Sequence, residues 1–144
     1  MLSFRNFLGI GKKQKEETAV KRFASIQHEK WRKSFDPEQS GKERIKSNSD
    51  GTSGNINVPF DQLHPDWQKE NIDAGKAALE AVKKYGSDIE RAAEHVHNEW
   101  MKRNPKNDYN AHQHVPYSQL SEEEKNKDKE HVETMRKLMH GKKM

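Results

Sequence analysis

The chain has 144 residues, enough for one domain or two very small ones at roughly 100–200 residues per domain. Charged residues make up 35% of it against 30% for AVILMFWYC, so the core is small, and no run approaches the roughly 18 apolar residues of a membrane span. With no cysteine, disulfide scaffolds, thiol nucleophiles and cysteine-ligated zinc are excluded.

Taken in chain order, the first element is apolar. Leu2, Phe4, Phe7, Leu8 and Ile10 precede Gly11-Lys12-Lys13-Gln14-Lys15. A secretory signal puts its charges first and its apolar run second, the reverse of this order. Residues 1–14 therefore read as a short amphipathic segment. It touches a membrane surface or a partner subunit, or packs on its own domain. The cytoplasm is the expected compartment. A homodimer is expected because residues 2–10 must cover their apolar groups.

A first helix is predicted over about 15–34. Residues 36–57, rich in Ser, Gly, Asn and Lys, read as a long mobile surface loop. Pro59 holds Val58 in extended geometry. Pro65 suits the first turn of a second helix, over about 65–85, which Gly86 ends. Ser87-x-x-Glu90 reads as the capping box of a third helix, over about 88–103. Its apolar stripe is Ile89, Ala92, Ala93, Val96 and Trp100, with His97 at the edge. Residues 104–114 form a shorter loop, and Pro116 holds Val115 extended. Ser121-x-x-Glu124 caps a fourth helix, over about 121–140, closed by Gly141. The expected fold class is mainly α.

The chain also repeats itself. His28-x-x-Trp31 is echoed by His97-x-x-Trp100. Val58-Pro59-Phe60-x-x-Leu63 is echoed by Val115-Pro116-Tyr117-x-x-Leu120, and Asn71 falls at the place of Asp128. The connection from tryptophan to valine is longer by twelve residues in the first copy, as a surface loop tolerates. Each copy reads helix, loop, short extended corner, helix. The copies divide the chain at 15–86 and 87–144, together one globular domain.

This pattern resembles the RyR repeat, named for the ryanodine receptors and found also in small bacterial and phage proteins. The second copy matches more fully, from Ile89-Glu90-Arg91-Ala92-Ala93 through His97-x-x-Trp100 to Val115-Pro116-Tyr117-x-x-Leu120-x-x-x-x-Lys125-x-x-Asp128. The likeness covers residues 20–140. Neither copy has the Gly-Trp-x-Tyr-Gly stretch that the family often carries after its tryptophan. The resemblance implies a pseudo-symmetric pair of repeats and an adenine-nucleotide site, with the base held between Trp31 and Trp100.

On that expectation the ligand is nucleotide-derived: an adenine nucleotide, an ADP-ribose derivative or a cyclic nucleotide signal. Two facing indoles each contribute roughly 1–3 kcal/mol of stacking to one base. Arg32, Lys33, Lys102 and Arg103 follow the tryptophans and can reach phosphates. Phe60 and Tyr117 can wall the site, Tyr117 with a hydrogen bond to a ribose. Asn71 and Asp128 are candidates for base-edge or ribose contacts, and His28 and His97 for ligand contacts. RyR-like proteins occur near prokaryotic defence systems, which suits a sensor or a phage-encoded sponge for a signal nucleotide.

Each of these residues has a plainer role open to it. Trp31 and Trp100 on helical stripes can be core. His28 and His97 can bond a backbone carbonyl and fix each copy's corner. Phe60, Tyr117, Leu63 and Leu120 can pack between helices. The charge-rich stretch 122–129 is a solvated helix face.

Other chemistry is less well supported. No motif of a P-loop, a nucleophile elbow or a His-Glu-x-x-His site occurs, and no cofactor is expected. Asp128, Glu130 and His131 have no spacing that demands a hydrolase. His95, His97, His112 and His114 are enough in number for zinc, but 95 and 97 leave one helix on different faces. The net charge is +5 over 1–50, −4 over 51–100 and +3 over 101–144, mixed within most windows. That scatter argues against a nucleic-acid partner, which needs its charge on one face. The alternative classes are a protein-interaction or structural module with no small ligand, or a weak nucleic-acid binder.

Overall fold

The structure, a computed structural model, describes residues 4–140, with side chains from residue 11 onward. It is mainly helical. Four helices, α1 (Phe4–Phe35), α2 (Pro65–Tyr85), α3 (Ile89–Arg103) and α4 (Glu122–Met139), run alternately up and down. Each begins or ends on local chemistry. The His64 ring accepts from the Asp66 N–H ahead of Pro65, and Ser121 Oγ accepts from the Glu124 N–H. Gly86 closes α2 at φ 53°, a left-handed conformation that suits glycine.

Three expectations change. The cap of α3 is Asp88, whose carboxylate accepts from the Arg91 N–H; the serine before it is not the cap. The expected boundary at residue 14 is no break, because α1 runs through it from Phe4. The stretch 12–18 contains no residue that stops a helix, so the backbone continues. The side chains of residues 2–10 and the expected stop at Gly141 lie outside the described residues.

The third change concerns residues 36–57, which are built rather than loose. Ile45–Ser47 (β1) and Ser53–Asn55 (β2) pair antiparallel, with Ile45 opposite Asn55. The buried Asp36 carboxylate ties down the start of this segment. It accepts from the Ser40 N–H and Oγ–H, the Gly41 and Lys42 N–H groups, and Asn57 Nδ2. Those donors hold its pKa well below the usual carboxylate range, the bonds from Ser40 foremost. The tip is pinned to α2 by Ser49 N–H to Asp66 (2.7 Å), His64 to Asp50 (2.8 Å) and Trp67 Nε1 to Asn48 (2.9 Å). Composition reads only the polarity of such a loop, while these bonds join residues up to 21 positions apart.

The core centres on Phe23, Val132 and Met135, all fully buried, with Val20, Ala78, Ala81, Ala92 and Val96 around them. Each large side chain contributes about 1.5–3 kcal/mol by leaving water. Gly75 lets α1 and α2 approach closely, because a Cβ there would lie 3.1 Å from the Val20 carbonyl oxygen. α1 and α3 each pack on both α2 and α4 but share almost no contact, so they form one diagonal of the bundle. Their C-terminal ends emerge at the same end of the molecule, as the Lys83–Glu16 and Arg103–Glu70 pairings require. Among the described residues no helix is long and apolar enough to cross a membrane.

Candidate functional site

The two His-x-x-Trp elements end in corners of the same geometry. His28 Nε2 donates to the Val58 carbonyl at 2.7 Å, and His97 Nε2 donates to the Val115 carbonyl at 2.7 Å. Pro59 and Pro116 follow at φ/ψ of −55°/151° and −54°/147°, each opening a single 3₁₀ turn, Phe60–Gln62 and Tyr117–Gln119. The histidines thus hold the connection against its own helix. Burial pushes the His28 imidazole below its ordinary pKa.

The tryptophans differ from each other. Both are half-buried. Trp31 lies in a column along α1: His28 stacks on it at 5.8 Å and 16°, and Phe35 at 5.0 Å and 9°. Lys42 then covers Phe35, its Nζ 4.6 Å from the ring centroid. Trp100 has the matching histidine, His97, at 6.0 Å and 13°. Asn104 stands where Phe35 would be, and its Nδ2 donates to the Trp100 carbonyl. His114 meets the indole at 5.7 Å and a tilt of 49°.

The four basic residues do not share one cavity. Arg32 donates to Glu29 (2.9 Å) and to Asn57 (3.1 Å). With Lys33 and Asp36 it lines a hollow of about 320 Å³ at the end of α1. Lys102 pairs with Glu99 (3.1 Å) and borders an open groove between α2 and α3. Arg103 turns to α2, 3.4 Å from Glu70.

The remaining candidates are engaged inside the protein. Tyr117 is buried against Ala93 and Leu120, and its hydroxyl donates to Glu90 at 3.0 Å. Burial raises its pKa, and the bond to Glu90 raises it further. Phe60 is half-buried in its 3₁₀ turn, and Leu63 is core. Asn71 donates to the Trp67 carbonyl of its own helix. Asp128 lies 3.9 Å from His97 Nδ1, and burial pushes its pKa up to about 7. Among the described residues no group of three or more His, Cys, Asp or Glu side chains is placed to hold a metal ion. His95 instead packs on Tyr85 at 6.0 Å.

Buried polar groups on three helices include Arg103, already a candidate phosphate contact, and Gln27 and His131, which the motifs did not single out as ligand contacts. His131 of α4 meets Phe23 edge-on at 5.3 Å and 87°. Burial lowers its pKa to about 4, so its ring is neutral at pH 7. Gln27 lies one turn beyond Phe23 on the same face of α1. Lys30 follows on that face and pairs with Glu130. The charges of Glu130, Lys30 and Arg103 all act on His131. Three buried polar atoms here have no intramolecular partner: Gln27 Nε2, Arg103 Nε and His131 Nδ1. They come from three helices: α1, four residues before Trp31; α3, three residues after Trp100; and the middle of α4. The sequence held one sign of this: Gln27, Arg103 and His131 continue the stripes that bury Phe23, Val96 and Met135.

No protein-family model matches the chain, and neither a curated protein nor a solved structure matches it.

Proposed function

We propose that this protein binds a nucleotide-derived ligand at the tryptophan-bearing end of the bundle and does no chemistry on it. The observation that carries the reading is the trio of unpartnered atoms on Gln27, Arg103 and His131. A buried donor without an acceptor costs about 1–3 kcal/mol. A ligand that brings acceptors to this place removes that cost, which a purely structural core gains nothing by keeping. Gln27 and Arg103 supply N–H donors, and the neutral His131 ring offers either role according to its tautomer. Lys30 and Arg103 each have a carboxylate partner, so the cluster suits a polar, acceptor-rich heterocycle better than a bare anion.

The resemblance to the RyR repeat supports the same ligand class: an adenine nucleotide, an ADP-ribose derivative or a cyclic nucleotide. A small binding protein with this site acts as a cytoplasmic sensor or as a phage-type sponge that sequesters a defence signal. A homodimer through residues 2–10 is compatible with either role.

A thermal-shift panel of ATP, ADP-ribose and cyclic di- and trinucleotides tests the reading. At a hundred times its dissociation constant a ligand adds about 2.7 kcal/mol to stability, a shift of several degrees. Gln27→Leu and Arg103→Met remove the buried donors without leaving new ones, so both should fold and lose the shift. Chromatography of the bound ligand, recovered intact, separates binding from turnover.

A protein-interaction module is the second reading, and one observation favours it. Among the described residues, Ile45 and Tyr109 are the large apolar side chains left exposed, at 53% and 92%. Both lie on the connections at the tryptophan end. This reading predicts a flat ligand panel and unchanged behaviour in the Gln27 and Arg103 variants.

A further inference from the structure

We propose that the two tryptophans are not equivalent: Trp100 alone is the stacking platform for the ligand's planar group, and Trp31 is a structural ring. The inference rests on the ligand-binding reading above and deepens it.

The argument starts from what occupies each indole. Along a helix, positions three before and four after a residue lie on its face, one toward each end. On α1 both positions are aromatic, and both rings are nearly parallel to Trp31, at 16° and 9°. A planar ligand stacking on Trp31 must first displace His28, which is bonded to Val58, or Phe35, which carries the Lys42 ammonium. Removing His28 opens the corner, and removing Phe35 gives up an aromatic pair and a cation–π contact, about 0.5–1.5 and 0.5–1 kcal/mol respectively.

On α3 the position three before Trp100 is His97, stacked at 13° as in the first copy. The position four after is Asn104, whose amide turns back to its own helix and presents no ring. His114 is tilted by 49° and held by its bond to the Asn104 carbonyl at 2.6 Å, so it does not lie flat on the indole. The last turn of α3 also carries Arg103, three residues after Trp100, whose Nε is unpartnered. The indole that lacks a parallel ring on its C-terminal side and the unsatisfied donor therefore lie one turn apart on α3. On α1 the matching position is Ser34, which is exposed, and the arginine that follows Trp31, Arg32, is already engaged by Glu29 and Asn57.

Two single-tryptophan proteins test this. Trp31→Phe with Trp67→Phe leaves Trp100, and Trp67→Phe with Trp100→Phe leaves Trp31. Trp67, whose Nε1 donates to Asn48 of the hairpin, is replaced in both proteins. Fluorescence is read on titration with ATP and ADP-ribose, beside calorimetry on the wild type. Quenching confined to the protein that keeps Trp100 is the expected result, with an affinity within about twofold of wild type. Loss of Trp100 stacking should weaken binding by between about fivefold and a hundredfold. Asn104→Phe, which restores a ring at the place of Phe35, should block binding in a folded protein. Equal quenching in both single-tryptophan proteins, or calorimetric binding with quenching in neither, overturns the asymmetry and leaves the ligand-binding reading standing. No binding by the wild type removes both.

Discussion

The Asp128 carboxylate stands 3.9 Å from Nδ1 of His97, behind the ring that holds the second corner. In the first copy the matching position is Asn71, an amide. Burial raises the Asp128 pKa from the ordinary 3.8 to about 7, with Glu124 adding to the rise. The folded state therefore keeps a proton that the unfolded chain gives up. This contribution is fully favourable below pH 3.8 and is lost as pH climbs to 7. Asp128→Asn removes the loss, so the variant should match wild type at pH 4 and exceed it by a few kcal/mol at pH 8. Urea midpoints at the two values check this; an equal difference at both pH values contradicts it.

His131 acts in the opposite direction over part of the same range. Burial lowers its pKa from 6.5 to about 4, so the unfolded chain takes up a proton that the folded state refuses. Its contribution is complete above pH 6.5 and fades as pH falls toward 4. Between these limits the Asp128 and His131 slopes offset each other. Asp128→Asn should therefore leave a protein that gains stability with pH from 4 to 6.5. His131→Leu should leave one that loses it. Matching pH profiles for the two variants would disprove the opposing pair.

The two corner histidines set up a paired comparison. His28→Ala and His97→Ala each strand a valine carbonyl that now accepts at 2.7 Å. Each should cost about 1–3 kcal/mol in chemical denaturation. His97→Ala should cost more, because it also leaves the buried Asp128 without its neighbour. Similar unfolding midpoints for His97→Ala and wild type would remove the corner role.

Gly75→Ala separates helix propensity from packing. Alanine is favoured over glycine in a helix interior by about 1 kcal/mol. Here its Cβ would meet the Val20 carbonyl oxygen at 3.1 Å and Phe23 at 3.2 Å, both inside the packed core. Overpacking costs about 1–3 kcal/mol, so the substitution should lower stability on balance. A raised melting temperature would show that α1 and α2 can separate freely.

Asp36→Ala tests whether the first connection is held by its carboxylate. Five donors converge on that side chain, and the substitution leaves them without an acceptor. Limited proteolysis should then cut within residues 37–57 while the helices survive. Unchanged resistance would place the control in the Trp67–Asn48 and Asp66–Ser49 bonds instead.

The mainly helical character, both ends of α2 and the start of α4 were legible in the chain itself. Pro65, Gly86 and Ser121 act on backbone groups within four residues, so neighbours in sequence suffice to read them. The stripe of α3 was legible for the same reason. The hairpin was not, because its anchors join Asp36 to Asn57 and Asn48 to Trp67 across long separations. Nor could spacing tell which indole is flanked: Phe35 and Asn104 acquire their meaning only from ring planes and from Lys42 and His114 folding back over them. That Gln27, Arg103 and His131 each keep a buried nitrogen without a partner depends on how α1, α3 and α4 pack. Helical periodicity says which residues face inward. Only the packing of one helix on another decides which of those inward polar groups find a partner and which are left for something else.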